Sequence, residues 1–257
     1  MQLPRYIAHR GLSAHAPENT LAAIQAASDA GCEWIELDVQ CLGDGTPVIW
    51  HDARVDRCSN GQGALIDMTR DDIRSLDVGS WFSADFRGER MALLDEALSL
   101  VSALDMGLNL ELKLNVGHDP VQLVDVAVHR ARQVLPQDRL LVSSFDMTAL
   151  EHARSQDDAL ALGLLYEAIP RRWASDTERL RPTSVHADWT QLDQERLIEI
   201  QAAELAMLCY TVNDPERFAS WWDHGVNGVF TDDPALFDAR YQRQPRGDGR
   251  RKPRQGY

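Results

Sequence analysis

Residues 31–52 read GCEWIELDVQCLGDGTPVIWHD. Within this stretch the apolar, β-branched run 34–40 (WIELDVQ) is interrupted by Glu36 and Asp38. Residues two apart on a strand face the same way, so the two carboxylates project to one side. Gly43-Asp44-Gly45 then turns the chain into a short returning strand, PVIWHD, which ends on His51 and Asp52. The interior of a parallel barrel ordinarily takes Val, Ile and Leu, and charges cost too much there to be incidental. The same interruption recurs on both sides of this segment, as His9-Arg10 at the end of an earlier strand and as Glu111-x-Lys113 on the next one.

Working outward, strand candidates fall at 6–10, 34–40, 108–113, 140–145, 161–166, 184–188, 206–212 and 226–230. They alternate with helix candidates near 19–30, 93–105, 120–134, 147–156, 172–180, 193–204 and 215–224. Asn19 or Thr20 caps the first helix, and Asp214-Pro215 opens the last with Pro at its first position. Open doubly wound sheets usually have about five or six strands, so eight such units predict closure into an α/β (β/α)8 TIM barrel. One stretch breaks the rhythm. Residues 53–92, after the hairpin, hold Gly, Asp and aromatic residues without sustained periodicity and read as a small insertion at the barrel mouth. The predicted organisation is a single barrel domain over 1–242, followed by a tail, 243–257.

The chain has 257 residues, 44% apolar and 26% charged, a composition that excludes disordered and fibrous classes. No stretch is long and apolar enough for a membrane span or a signal peptide, so a cytoplasmic address without stable membrane insertion is predicted. Cys32, Cys41, Cys58 and Cys209 are scattered, without a C-x-x-C pair, and suggest neither zinc nor a redox motif. The net charge is −14, but the tail RQPRGDGRRKPRQGY carries +5 and reads as disordered, so the rest of the chain carries −19. So acidic a body repels nucleic acid and anionic bilayers, and a phosphate-bearing substrate would need a local cation and a few placed basic groups.

Glu36, Asp38 and Glu111 supply such a place. Three carboxylates converging at one end of a barrel repel one another unless a cation sits among them, and all-oxygen ligation favours one hard divalent ion, Mg2+ or Ca2+. His9 and His51 reach the same rim and fit a general base and a general acid. Arg10 and Lys113 fit an anionic group, with surface salt bridging as the alternative. Adjacency alone does not show Asp52 orienting His51, since a turn or cap role explains it equally. Trp81, Phe82 and Phe86 either pack the insertion against the barrel or face a choline-like head group.

In this order these residues resemble the glycerophosphodiester phosphodiesterase family: HRG at 9–11, APENT at 16–20, ELDV at 36–39, HD at 51–52, NG at 60–61, GSWF at 79–82, FRGER at 86–90, LELK at 110–113, SSF at 143–145, YTVN at 210–213 and GVNGVFTDDP at 225–234. The resemblance spans residues 5–238. It implies hydrolysis of glycerophosphocholine, glycerophosphoethanolamine or similar diesters to sn-glycerol 3-phosphate and an alcohol. It also implies acid/base roles for His9 and His51, metal ligation by Glu36, Asp38 and Glu111, and phosphate binding by Arg10 and Lys113. Two positions depart from the family pattern: Met91-Ala92-Leu93-Leu94 replaces an isoleucine-proline-threonine-leucine run, and Tyr210 stands where Trp is common.

Competing readings make different demands. A phospholipase-type diesterase on the same barrel would show a membrane-seeking surface or an export signal. A non-catalytic barrel that binds phosphorylated ligands would have lost a ligand or a histidine, whereas this set is complete.

Overall fold

The computed structural model describes residues 3–241. In chain order the elements are β1 (Tyr6–Ala8), α1 (Leu21–Asp29), β2 (Trp34–Cys41), β3 (Pro47–Ile49), α2 (Arg70–Ile73), α3 (Leu94–Ala103), β4 (Gly107–Leu112) and α4 (Pro120–Val134). They continue with β5 (Leu140–Ser144), α5 (Met147–Gln156), β6 (Ala161–Tyr166), α6 (Trp173–Leu180), β7 (Ser184–Asp188), α7 (Gln194–Ala202), β8 (Ala206–Tyr210), α8 (Pro215–Asp223) and β9 (Gly228–Thr231). All strands except β3 pair in parallel, and β1 joins both β9 and β2, so the predicted (β/α)8 barrel closes. The tail expected at 243–257 lies outside the described residues. Among the described residues no helix is long and apolar enough to cross a membrane.

Several boundaries differ from the sequence reading, and one difference positions the site. β1 stops at Ala8, two residues early, because Arg10 and Gly11 turn the chain at φ 55° and 79°. At Gly11 a Cβ would also lie 2.7 Å from the Ala23 backbone, so glycine is required there twice over. With β1 so short, only Ala8 pairs with Ile35 on β2. The vacated edge of β2 goes instead to β3, which runs antiparallel with Ile49 opposite Val39. The Glu36 carbonyl accepts the Gly11 N–H and the Asp38 carbonyl accepts the Trp50 N–H, on that one edge. The hairpin thereby carries His51 back to the level of Asp38.

Helix starts follow the sequence chemistry. Thr20 caps α1 through Ala23 N–H, which leaves Asn19 for another partner, and Asp214 caps α8 with Pro215 at its first position. After β9 the described residues form short 3-10 turns at Pro234–Leu236 and Ala239–Tyr241.

The helices pack on the outside of the barrel through one extended apolar core. Inside, Ile7, Trp34, Leu141, Ala161, Leu208 and Phe230 form an apolar floor. Ile7, Leu141, Leu208 and Phe230 each contribute roughly 1.5–3 kcal/mol on burial. Above the floor the inward positions turn polar, with Glu36, Asn109, Ser143 and His186 all buried. The His186 ring fits because β6 has Gly163 beside it, where a Cβ would meet the ring at 2.5 Å.

The insertion has its own small core, in which Trp50, Val55, Leu65, Ile73, Val78 and Met91 are buried together. Trp81, Phe82 and Phe86 stack edge-to-face on one another at 5.7 and 5.6 Å, and Phe86 packs against the main core. Phe86 thus packs the insertion against the barrel, while Trp81 remains exposed. Met91 and Ala92 are buried as well, so those two departures keep an apolar packing role, whereas Leu93, where the pattern has Thr, stands at the start of α3 without a side-chain cap bond.

Candidate active site

Glu36 and Asp38 on β2 and Glu111 on β4 point into the barrel, where Asp38 and Glu111 are in register. One oxygen from each lies within 4.8 Å of the others, and all three residues are buried. Burial first, then Asp38 and Glu111 beside it, raises the Glu36 carboxyl well above the usual range. Glu111 is pushed up to about 7, again by burial first and by Asp38 second. Burial would raise Asp38 too, but Lys113 and Arg10 hold it well below the ordinary range.

Most oxygens of this trio have donors. Arg10 N–H donates to Glu36 Oε2 at 2.9 Å, and Asn19 Nδ2 donates to Asp38 Oδ2 at 2.8 Å. The Lys113 ammonium sits 2.5 Å from Glu111 Oε1 and 3.2 Å from Asp38 Oδ1, and Arg10 Nε lies 3.3 Å from Asp38 Oδ2. Glu36 Oε1 is buried with no partner. An orphaned carboxylate oxygen beside two other carboxylates, with charge that strongly resists burial, fits a hard divalent cation.

Both histidines stand at the mouth of this group and line one cavity of about 390 Å³ with Glu36, Glu111, Arg10 and Lys113. The structure thus brings together six of the seven residues singled out in the sequence as cavity walls, with Asp38 buried behind them. His9 Nδ1 bonds Asp232 Oδ1 at 2.7 Å, and its Nε2 lies 3.9 Å from Glu36. His51 Nδ1 bonds Asp52 Oδ1 at 2.7 Å, so the partner that adjacency left undecided does orient the ring. A carboxylate on Nδ1 fixes the proton there, leaving Nε2 of each neutral ring able to accept one. Desolvation lowers the His51 pKa, aided by Arg10 and Lys113 and opposed by Asp38.

The carboxylates behind the histidines are held in turn. Asp232 accepts hydrogen bonds from Ser13 Oγ and Asn213 Nδ2. Arg57, from the insertion, clasps Asp52 through Nε and Nη2 and Glu18 through both Nη atoms, at 2.7–2.9 Å. Burial resists ionisation of Asp52, yet Arg57 and His51 bring it down to about 2. Glu18 also binds the Arg10 guanidinium at 2.7 Å, so one chain of ion pairs joins the insertion to His51 and Arg10.

The sequence reading offered Asn19 only as an alternative cap and assigned no role to Asp232, Glu18, Arg57 or His186. Asp232, Glu18 and Asn19 lie inside quoted motifs, TDDP and APENT, which was the available signal; for Arg57 and His186 there was none. The four cysteines are all buried and unpaired, so no disulfide forms.

Residues 9–236 match the model of the glycerophosphoryl diester phosphodiesterase family. The glycerophosphodiester phosphodiesterase of Caldanaerobacter subterraneus subsp. tengcongensis is 33% identical over 229 residues, covering 89% of this chain and 93% of that protein. Among solved structures, an Oleispira antarctica phosphodiesterase in complex with the product sn-glycerol-3-phosphate gives a TM-score of 0.88 at 36% identity, covering 93% of this chain and 96% of that one. A Thermotoga maritima glycerophosphodiester phosphodiesterase gives a TM-score of 0.73 at 25% identity, covering 92% and 98%.

Proposed function

Because this chain belongs to the glycerophosphoryl diester phosphodiesterase family and is a phosphoric diester hydrolase, we propose that it converts glycerophosphocholine, glycerophosphoethanolamine and similar diesters to sn-glycerol 3-phosphate and an alcohol. The observation that carries this reading is the buried carboxylate trio with its orphaned Glu36 oxygen, facing two oriented histidines in one cavity. The Oleispira relative, in complex with sn-glycerol-3-phosphate as product, supports the same product here. Residues 1–242 form the catalytic unit, and the enzyme acts in the cytoplasm on small dissolved diesters, without nucleic acid as a partner.

Glu36, Asp38 and Glu111 hold one divalent cation, Mg2+ or Ca2+. It would supply Lewis-acid charge that offsets the negative charge growing on the phosphate in the transition state. Arg10, with its guanidinium steadied by Glu18, and Lys113 bind the remaining phosphate oxygens. One histidine takes the nucleophile's proton at Nε2 while the other delivers a proton to the leaving alkoxide. Asp232 and Asp52 keep each ring turned for that exchange.

Product identity tests the reading. With glycerophosphocholine and added Mg2+ or Ca2+, the expected products are sn-glycerol 3-phosphate and choline, followed by mass spectrometry. Phosphocholine with glycerol, or no hydrolysis, would overturn it.

A further inference from the structure

The cavity has a second charged wall, and the mechanism above makes no use of it. In the closed ring of strands β7 stands four places from β2 in either direction, so β6, β7 and β8 face the carboxylate trio across the barrel. Glu167 follows β6, Asp188 ends β7 and Tyr210 ends β8, and all three line the cavity. They are neighbours in one layer: Asp188 N–H donates to the Glu167 carbonyl, and Asp188 is in register with Tyr210. The Tyr210 hydroxyl donates to the Tyr166 carbonyl at 2.8 Å, which fixes its ring, and the Phe145 ring meets it edge-to-face at 6.0 Å.

Neither Glu167 nor Asp188 is ion-paired among the described residues. Asp188 Oδ1 accepts the Thr190 N–H and hydroxyl. One layer deeper on β7, His186 is fully buried and lines the same cavity. Its Nε2 is paired with Ser184 Oγ at 2.8 Å, while its Nδ1 has no partner. Desolvation pushes the His186 pKa down to about 3, so the ring stays neutral and adds no positive charge to this wall.

Of a glycerophosphodiester's three parts, the phosphate is repelled by two carboxylates and the glycerol can offer them only hydroxyl hydrogen bonds, so a cationic alcohol gains most from this wall. We propose that Glu167, Asp188, Tyr210 and Phe145 recognise the alcohol half of the substrate as an ammonium cation, and that they set the enzyme's preference among diesters. The inference rests on the proposed function and deepens it. The carboxylates attract the charge, the Tyr210 ring accepts it by cation–π contact beside Phe145, over which Lys113 already lies at 5.8 Å, and His186 Nδ1 offers a hydrogen-bonding atom below. The aromatic residues of the insertion do not line this cavity among the described residues, so the head-group contact falls to Phe145 and Tyr210 instead.

The test compares kcat/KM, at saturating metal, for glycerophosphocholine, glycerophosphoethanolamine and the uncharged-alcohol diester glycerophosphoglycerol. The wild type is set beside a Glu167→Gln/Asp188→Asn double variant. Both substitutions keep shape and hydrogen-bonding capacity. The cationic-to-neutral ratio is expected to favour the cationic diesters in the wild type. In the variant it should fall about tenfold, the scale of about 1.4 kcal/mol lost from partly exposed charge contacts. An unchanged ratio overturns the inference. A larger fall with choline marks a quaternary ammonium against the wall and a larger fall with ethanolamine a primary one; either supports it. Saturation-transfer NMR with choline, ethanolamine and glycerol reads the wall without turnover: stronger transfer to the amines in the wild type than in the variant supports it, and equal transfer overturns it. If no diester is hydrolysed, the proposed function fails while the NMR arm still decides this inference.

Discussion

Replacing Glu36 with Gln is expected to abolish metal-supported turnover and, without metal, to give a protein that unfolds at a higher temperature than the wild type. Both effects come from one cause. Burial, Asp38 and Glu111 raise the Glu36 carboxyl, so its ionised form is the one the fold disfavours. Because the shift is upward, the penalty is present at neutral pH and disappears in acid, below the ordinary carboxylate range, where the group is protonated in both folded and unfolded chains. An amide removes the penalty and still offers Arg10 N–H an oxygen. The same change takes a charged ligand from the cation, whose electrostatic contribution of several kcal/mol corresponds to about 10³-fold in rate. Calorimetry beside a metal titration and an activity assay separates the outcomes. A lower unfolding temperature together with lost activity would make Glu36 a structural residue instead.

His9→Ala and His51→Ala are each expected to lower kcat by about 10²–10⁴, the range for a positioned acid or base, with metal affinity and KM far less affected. The expected split follows from geometry. Each ring is held through Nδ1 by a carboxylate outside the trio, Asp232 or Asp52, and neither ring is needed to assemble the three ligands. Asp232→Asn and Asp52→Asn should produce smaller losses of the same kind, because an amide holds the ring without securing its tautomer. A fall confined to metal affinity would assign the histidines to the cation.

The trio was readable in the sequence because Glu36, Asp38 and Glu111 break apolar strands at two-residue spacing, which announces direction as well as cost. Barrel closure was readable from the repeated strand–helix alternation. The supports of the site were not. His9 and Asp232 are separated by 223 positions, and only the pairing of β1 with β9 brings them together. Arg57 belongs to an insertion whose buried residues follow turns and one short helix, so no periodicity marks it. The exchange of β1 for β3 along the edge of β2 depends on two left-handed residues at the HRG turn, which a strand pattern does not register. His186 looked like part of an ordinary strand until Gly163 beside it left room for the ring.

The central claim is that the carboxylate trio makes this hydrolase dependent on a divalent cation. The direct measurement is release of sn-glycerol 3-phosphate from glycerophosphocholine by protein stripped with chelator and dialysed, then supplied with Mg2+ or Ca2+. The stripped protein is expected to release none above background, with activity restored by at least one of the two ions. Undiminished release by the stripped protein would contradict the account.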